Sequence, residues 1–217
     1  MQISKKELLT GRSLARVACR ACDGCGDCCR NMGDSIRLDP YDFWQLEKGL
    51  SMSARDLARS FVGFVKSDGL LLPYIKMKEK ACPFLENGRC RIHSFRPGIC
   101  RLFPMGRQFD AVGLRYFVIP DGCDMPGKSK VRIEDYLEIE NLSRYEAYLA
   151  EYHRLLRRVQ SLLREDYWQK MRLGPDFRTT FFLLDYDSDR DFESQFLRRE
   201  EDFIRRNRLP SLMGGRD

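Results

Sequence analysis

The sequence predicts an α+β fold, with short strands and a hairpin in its first part and a long C-terminal helix with a helical tail in its second. Two patterns predict this division. Up to about residue 130, short apolar runs alternate with turn residues, and Asn87-Gly88 is a strong two-residue hairpin signal. Further on, apolar side chains recur every three or four residues between Leu142 and Leu163, which is the spacing of one helix face. At 217 residues, the chain is long enough to bury its own core.

The N-terminal elements are predicted to be helices on either side of a cysteine-rich loop. A short helix is expected over residues 4–18, and its apolar positions are Leu8, Leu9, Leu14 and Val17. After the loop, "SIRL" is predicted as a short strand. A helix through Leu46 then has Asp39 as its N-cap and Pro40 at its first position. Ser53 caps the following helix, whose apolar positions are Leu57, Phe61 and either Phe64 or Val65.

The middle of the chain is predicted to form strands. "LLLPYIKMK" is one of them, and Pro73 restricts it to a sheet edge or a bulge. The turn at Asn87-Gly88 is expected to bring Cys82 and Cys90 towards each other on paired arms. "GLRYFVIP" is a further strand, and "DGCDMPGKSK" is a loop.

The C-terminal part is predicted to be helical from about Val131. Its apolar face is wide, and packing within the chain is preferred over packing on a partner. Gly174-Pro175 is expected to end the helix, and "RTTFFLLDY" is expected to be a strand or a buried loop. Residues 189–207 are predicted as a charged helix. The apolar face of the long helix consists of Leu142, Tyr145, Tyr148, Leu149, Tyr152, Leu155, Leu156, Val159, Leu162 and Leu163.

The charge distribution suggests two domains, residues 1–130 and residues 131–217, with the second packed on the first as a helical extension. The first carries a formal charge of +8 and all nine cysteines, and the second carries −2. Part of the basic excess is expected to offset thiolate charge, so no nucleic-acid partner is expected. The start of the chain has no apolar secretory core and no window is long enough to span a membrane, which predicts a cytoplasmic protein without a membrane partner.

The stretch "ACRACDGCGDCC" holds the first group of cysteines. In a reducing compartment, thiols at this density favour a metal or redox chemistry over disulfides. Three cysteines spaced as Cys22-x2-Cys25-x2-Cys28 can bind at one metal site. Three ligands of a cubane iron–sulfur cluster have the same spacing, and the fourth ligand of that cluster precedes a proline. The adjacent side chains of Cys28 and Cys29 are expected to diverge, either into two sites or with one thiol left in the core.

The second group lies further along the chain, in "CPFLENGRCRIHSFRPGICRLFP" and the loop after it. Arg96 and Arg101 are predicted to neutralise thiolate charge and to hydrogen-bond to sulfur around the site. His93 and His153 are the only histidines, and a structural role is preferred for both. Eight candidate ligands can fill two four-ligand sites, or one site with spare thiols: Cys22, Cys25, Cys28, Cys29, Cys82, Cys90, Cys100 and Cys123. Cys19 is the expected bystander.

Over about residues 22–127 these motifs resemble the YkgJ family of cysteine-cluster proteins. The shared features are CxxCxxCC, then CPFLxNGxCxIHxxRPxxCRxFP, then a late cysteine near Pro-Gly. The resemblance implies a domain that chelates zinc or iron through the same eight cysteines, and hence a small core stapled by metal. Thiolate ligands suit both metals. The CxxCxxC spacing with a remote Cys82-Pro83 favours a [4Fe-4S] cluster slightly over Zn²⁺.

Three functions are compatible with a cysteine cluster that chelates a metal. The preferred one is a non-catalytic metal or cluster module, for which the long helix offers a surface for an unknown protein partner. The second is an iron–sulfur enzyme such as a protein lysine methyltransferase, because flagellin lysine N-methylases have a related cysteine-rich domain. The third is a thiol redox protein that uses Cys28 and Cys29 or a CxxC pair. The sequence alone does not decide whether the chain is an enzyme.

Overall fold

Antiparallel strand pairs surrounded by helices make up the fold in a computed structural model, which describes residues 7–17, 26–120, 122–123, 129–165 and 167–209. The strands are β1 Leu14–Val17, β2 Val62–Ser67, β3 Leu70–Ile75, β4 Leu85–Glu86, β5 Arg89–Cys90, β6 Met105–Phe109, β7 Leu114–Val118 and β8 Ser129–Arg132. The helices are α1 Pro40–Leu50, α2 Ala54–Phe61, α3 Gly98–Leu102, α4 Ile133–Leu137, α5 Leu142–Glu165, α6 Tyr167–Phe182 and α7 Phe192–Arg206. The predicted α+β class is confirmed.

Each strand pairs with one antiparallel partner: β1 with β8, β2 with β3, β4 with β5, and β6 with β7. The predicted hairpin is present, because Asn87 and Gly88 have φ values of 50° and 77° and Leu85 pairs with Cys90. Two consecutive positive φ values are what a type I′ turn requires. The strand predicted from "LLLPYIKMK" is β3, and the strand predicted from "GLRYFVIP" is β7.

The helix predicted over residues 4–18 is wrong in the part that the structure describes, residues 7–17. Leu9 forms a bridge with Tyr116, with N···O distances of 2.8 and 2.9 Å, and β1 follows a turn. In β1, buried Ala15 and Val17 alternate with exposed residues, which is the period of a strand. A Cβ on Gly11 would lie 2.7 Å from Leu142 Cδ2, so the chain needs glycine to pass this close to α5.

The two capped helices are confirmed. The side chain of Asp39 accepts from the Asp42 N–H at 3.0 Å, and that of Ser53 accepts from the Asp56 N–H at 3.1 Å. Two details differ from the prediction: α1 continues to Leu50, and the residues after Phe61 belong to β2 rather than to α2. "SIRL" forms an isolated bridge rather than the predicted strand: Arg37 bridges to Tyr74 of β3, and Leu38 N donates to Pro73 O and Ile75 N to Ile36 O, both at 3.0 Å.

The C-terminal part contains the predicted long helix as α5, preceded by β8 and α4. Most of its apolar face is buried within the chain, which confirms the prediction that this face packs within the chain rather than on a partner. Tyr148 packs edge-on against Phe192 and Phe196 of α7, with ring centroids 4.9 and 5.0 Å apart. The predicted charged helix is α7, and its Phe192, Phe196 and Phe203 are buried.

The prediction that Gly174-Pro175 ends a helix is wrong. The strand or buried loop predicted for "RTTFFLLDY" is wrong for residues 178–182, which are helical, whereas residues 183–186 form a loop in which Tyr186 is buried. The helix α6 contains Pro175 and continues to Phe182. A proline inside a helix costs about 3 kcal/mol. Leu173, Phe177, Phe181 and Phe182 on this helix are fully buried, and each such side chain contributes about 1.5–3 kcal/mol. Burial therefore outweighs the local helix-breaking signal.

The two predicted domains are joined by many contacts in the described structure. β1 pairs with β8, and α6 and α7 both contact α1. The boundary between residues 1–130 and 131–217 stays a prediction. No described helix is both long enough and apolar enough to cross a membrane.

Candidate metal centre

Three segments that are distant in sequence bring cysteines together. The first is a single 3-10 turn, Asp27–Cys29, and the second is the hairpin formed by β4 and β5. They are joined through the backbone, because Cys82 N donates to Cys29 O at 2.7 Å and Asn31 N donates to Lys80 O at 2.6 Å. The third segment is α3, which contains Cys100.

Gly26 lets the 3-10 turn lie against the hairpin. Its φ is +77°, which is the left-handed region that favours glycine. A Cβ at this position would lie 3.2 Å from Leu85 Cδ1 and 3.7 Å from Gly88 O. A side chain at position 26 would therefore require Leu85 to shift by a few tenths of an ångström and would be strained by the positive φ.

Cys28 and Cys29 are both free rather than disulfide-bonded. The hydrogen bond with Cys29 raises the pKa of the Cys28 thiol well above its usual range, and burial adds to this. The two neighbouring thiols therefore interact, and how they divide between sites stays a prediction.

The remaining described thiols of the turn, hairpin and α3 influence one another. Burial raises the pKa of the Cys82 thiol, with smaller contributions from Cys90 and Cys28, although the Phe84 N–H donates to the Cys82 sulfur. Burial also raises the pKa of the Cys100 thiol far above its usual range, and the charges of Asp42, Cys82, Cys90 and Cys28 add to this. These cysteines form one electrostatic cluster.

The structure gives less information on the other predicted ligands. Cys22 and Cys25, together with the expected bystander Cys19, lie outside the described residues. Cys123 is half-buried and follows Gly122, whose N–H donates to Ile119 O at 3.2 Å. Whether these cysteines bind metal stays a prediction.

The guanidinium groups of Arg96 and Arg101 both bond to backbone carbonyls of the loop that leads into α3. Arg101 donates to Ser94 O at 2.5 Å, to Arg96 O at 3.2 Å and to Glu138 O at 3.4 Å. Arg96 donates to His93 O at 2.6 Å and pairs with the Glu138 carboxylate at 3.3 Å. These contacts hold the loop in place, and the predicted contacts of both arginines with sulfur stay a prediction.

Both histidines have structural contacts. Arg96 Nη1 lies 3.0 Å from His93 Nδ1, and since arginine can only donate, this nitrogen uses its lone pair as the acceptor. The neutral ring then has its proton on Nε2. The His153 ring stacks on Phe109 with centroids 4.0 Å apart.

The start of α1 contains a buried polar network that was not predicted from the sequence. Asp39 and Asp42 are only 5% and 3% exposed. Asp42 accepts from Gly98 N at 2.7 Å, and Asp39 pairs with Arg107 at 3.5 Å. Burial raises the pKa of both carboxyls, that of Asp42 to about 8, against the opposing effect of Arg107. The capping pattern at Asp39 and Asp42 predicted the start of the helix. It did not predict that these carboxyls are buried, because the segments that cover them are distant in the sequence.

The donor groups of the site suit a thiophilic metal. Across the described ranges, no three Cys, His, Asp or Glu side chains are already arranged to hold a metal ion. The thiols nevertheless lie where their ionised forms would repel one another, and a cation would remove that repulsion. Thiolates are preferred ligands of both zinc and iron–sulfur clusters. The thiol side chains are therefore of the chemical type that binds zinc or an iron–sulfur cluster.

Comparison with known proteins agrees with this chemistry. Residues 21–124, just under half of the chain, match a family model described as "CxxCxxCC: Putative zinc- or iron-chelating domain". No curated protein and no solved structure matches the chain. The matched range includes the 3-10 turn, the hairpin, α3 and Cys123. Residues 21–124 are therefore similar to a zinc- or iron-chelating CxxCxxCC domain, and this match supports a metal-binding role for the chain.

Proposed function

We propose that this chain is a non-catalytic module in which cysteine thiolates hold a [4Fe-4S] cluster, with Zn²⁺ as the alternative. One observation carries the proposal: Cys28, Cys82 and Cys100, which come from a turn, a hairpin arm and a helix, lie close enough for their charges to act on one another. The proposed ligands are Cys22, Cys25, Cys28, Cys29, Cys82, Cys90, Cys100 and Cys123.

The preference for iron comes from the sequence. Cys22, Cys25 and Cys28 have the spacing of three cubane ligands, and Cys82 precedes a proline, as the remote ligand does in bacterial ferredoxins. The backbone bond between Cys82 and Cys29 brings this remote cysteine's segment beside the 3-10 turn that contains Cys28. Eight thiols also leave room for a second site.

The two metals would serve different purposes. A bound cubane cluster supplies one-electron redox capacity, whereas zinc supplies a cross-link without redox chemistry. With either group, the turn, hairpin and α3 hold their thiols in place, and the +8 charge of residues 1–130 offsets part of the thiolate charge.

The alternatives receive less support. In the metal-free chain, the raised pKa values of Cys28, Cys82 and Cys100 keep these thiols protonated, and a protonated thiol is a poor nucleophile. This disfavours a thiol redox protein. An enzyme needs a pocket beside the cysteines. Two clefts of the described structure are lined by residues between 134 and 143 and by residues of α1, the loop between α1 and α2, and the loop before α7, and no cysteine lines either of them.

Anaerobic purification followed by visible spectroscopy and elemental analysis tests the metal. A brown protein with about four irons per chain supports the cluster. A colourless protein with one or two zinc ions would replace the cluster by zinc. A chain that takes up neither metal, even after reconstitution, would refute the proposal.

A pair of variants tests the ligand set. Cys100→Ser removes a proposed ligand, and we expect most of the bound metal to be lost. Cys19→Ser removes a thiol outside the set, and we expect the metal content to stay at the wild-type level. Full metal content in Cys100→Ser would show that the ligand set is wrong.

A further inference from the structure

Asp42 links α1 to the start of the helix that contains Cys100. Its Oδ1 accepts from Gly98 N at 2.7 Å, and its Oδ2 accepts from Asp39 N at 3.0 Å. Gly98 is the first residue of α3. The first N–H groups of a helix have no partner within that helix. Asp42, which belongs to α1, therefore provides the hydrogen-bond acceptor that the first N–H of α3 does not find within its own helix.

The space around Gly98 makes this contact specific. A Cβ on Gly98 would lie 2.3 Å from Tyr145 Oη, so only glycine fits between α1 and α5 without a shift. Tyr145 in turn accepts from Arg107 Nη1 at 3.1 Å. The start of α3 is thus enclosed by a carboxylate on one side and a phenol on the other.

The acceptor itself is held by its neighbours. Arg107 pairs with Asp39, and the Tyr148 hydroxyl donates to Asp39 Oδ1 at 3.2 Å. Asp39 and Asp42 cap each other's backbone N–H groups at the start of α1. Asp42 therefore has little freedom to move.

We propose that Asp42 is a positioning residue for the metal centre: by accepting the Gly98 N–H, it fixes the start of α3 and so the place of the Cys100 sulfur relative to the hairpin thiols. This inference rests on the proposed function, in which Cys100 is a ligand. Asp42 does not itself touch the metal. Groups that orient metal ligands typically change metal affinity 10- to 100-fold when they are mutated.

Asp42→Asn tests the proposal, because the side chain keeps its size but can no longer accept at both oxygens. Glu47→Gln is a matched control. Glu47 is another buried acid of α1 that accepts one backbone N–H, from Tyr186 at 3.0 Å, on the side of α1 that faces the loop before α7. Both variants are purified with their metal, and the EDTA concentration that removes half of the metal is measured alongside thermal unfolding.

We expect Asp42→Asn to release its metal at an EDTA concentration about 10-fold or more below that of the wild type. Glu47→Gln is expected to keep the wild-type value even if its melting temperature falls. Equal EDTA resistance in Asp42→Asn and wild type would overturn the proposal. If Cys100→Ser also keeps its metal, the proposed function fails as well; if it loses its metal, only the role of Asp42 fails.

Amide hydrogen exchange of the wild-type protein gives a test that needs no variant. We expect the Gly98 N–H to be protected in both the metal-free and the metal-bound chain, since its acceptor comes from α1. Rapid exchange of this amide in both states would contradict the proposal, even if Asp42→Asn does not fold.

Discussion

The Cys82 N–H donates a hydrogen bond to the Cys29 carbonyl oxygen at 2.7 Å, which joins the two cysteine motifs of this chain directly through the backbone. The bond places the 3-10 turn Asp27–Cys29 beside the segment that leads into the hairpin containing Cys90. Several consequences of this arrangement can be measured.

The approach of the 3-10 turn to the hairpin can be tested with glycine variants. Gly26→Ala adds a methyl group 3.2 Å from Leu85 at a φ of +77°. We expect it to push the turn away from the hairpin and to lower the metal content of the purified protein. Gly33→Ala is the control, because its φ is also positive at +56° but its Cβ would have no neighbour within 4 Å. Equal metal loss in both variants would point to backbone strain alone.

Arg101 is expected to contribute to stability through the loop before α3. Arg101→Ala leaves the carbonyls of Ser94, Arg96 and Glu138 without this donor, and we expect it to lower the free energy of unfolding by about 1–3 kcal/mol. Urea unfolding measures this. Arg59→Ala is the control, since this side chain is 82% exposed, and it should change stability by less than about 0.5 kcal/mol. Equal midpoints for the two variants would contradict the role of Arg101.

The buried carboxyl of Glu200 should make stability pH-dependent. Burial raises its pKa from 4.5 to about 7, and the charge of Glu151 adds to this. Between these pH values the folded chain keeps a proton that the unfolded chain releases, so stability should fall as pH rises from about 4.5 to 7. Glu200→Gln should flatten this part of the profile in urea midpoints measured at pH 5, 6 and 7. An unchanged slope would show that Glu200 does not titrate there.

Glu47 should extend the same trend to higher pH. Its pKa is raised to about 8, chiefly by burial, so the decline should continue between pH 7 and pH 8. Glu47→Gln should make the decline shallower over the whole range from pH 4.5 to 8, because the unfolded carboxyl already titrates near 4.5, whereas Glu200→Gln should make it shallower only up to about pH 7. An unchanged slope between pH 7 and pH 8 in Glu47→Gln would show that Glu47 does not titrate there.

The continuation of α6 beyond Pro175 can be tested through its packing. Phe177 is fully buried, and Phe177→Ala should lower stability by about 3–5 kcal/mol. Met171 on the same helix is 63% exposed, so Met171→Ala should have an effect below about 0.5 kcal/mol. Comparable unfolding midpoints for the two variants would contradict the burial of this helix.

Much of the local structure could be predicted because its causes are local. A cap at Asp39, a turn at Asn87-Gly88 and the apolar spacing of α5 each depend on residues a few positions apart, and all three occur as predicted. The errors arose where distant contacts outweighed local preference. Residues before Val17 pair with β7 and β8 instead of forming a helix, and α6 continues past Gly174-Pro175 because its phenylalanines are buried.

The sequence by itself determined the chemistry of this protein, because the type and spacing of its cysteines already select metals that prefer thiolates. Only the tertiary structure decided which segments meet. The fold joins Cys29 to Cys82 through the backbone and places the buried Asp42 against the start of the Cys100 helix. The physical reason is that burial and long-range hydrogen bonds depend on residues many positions apart. A pattern of neighbouring residues therefore does not predict these contacts.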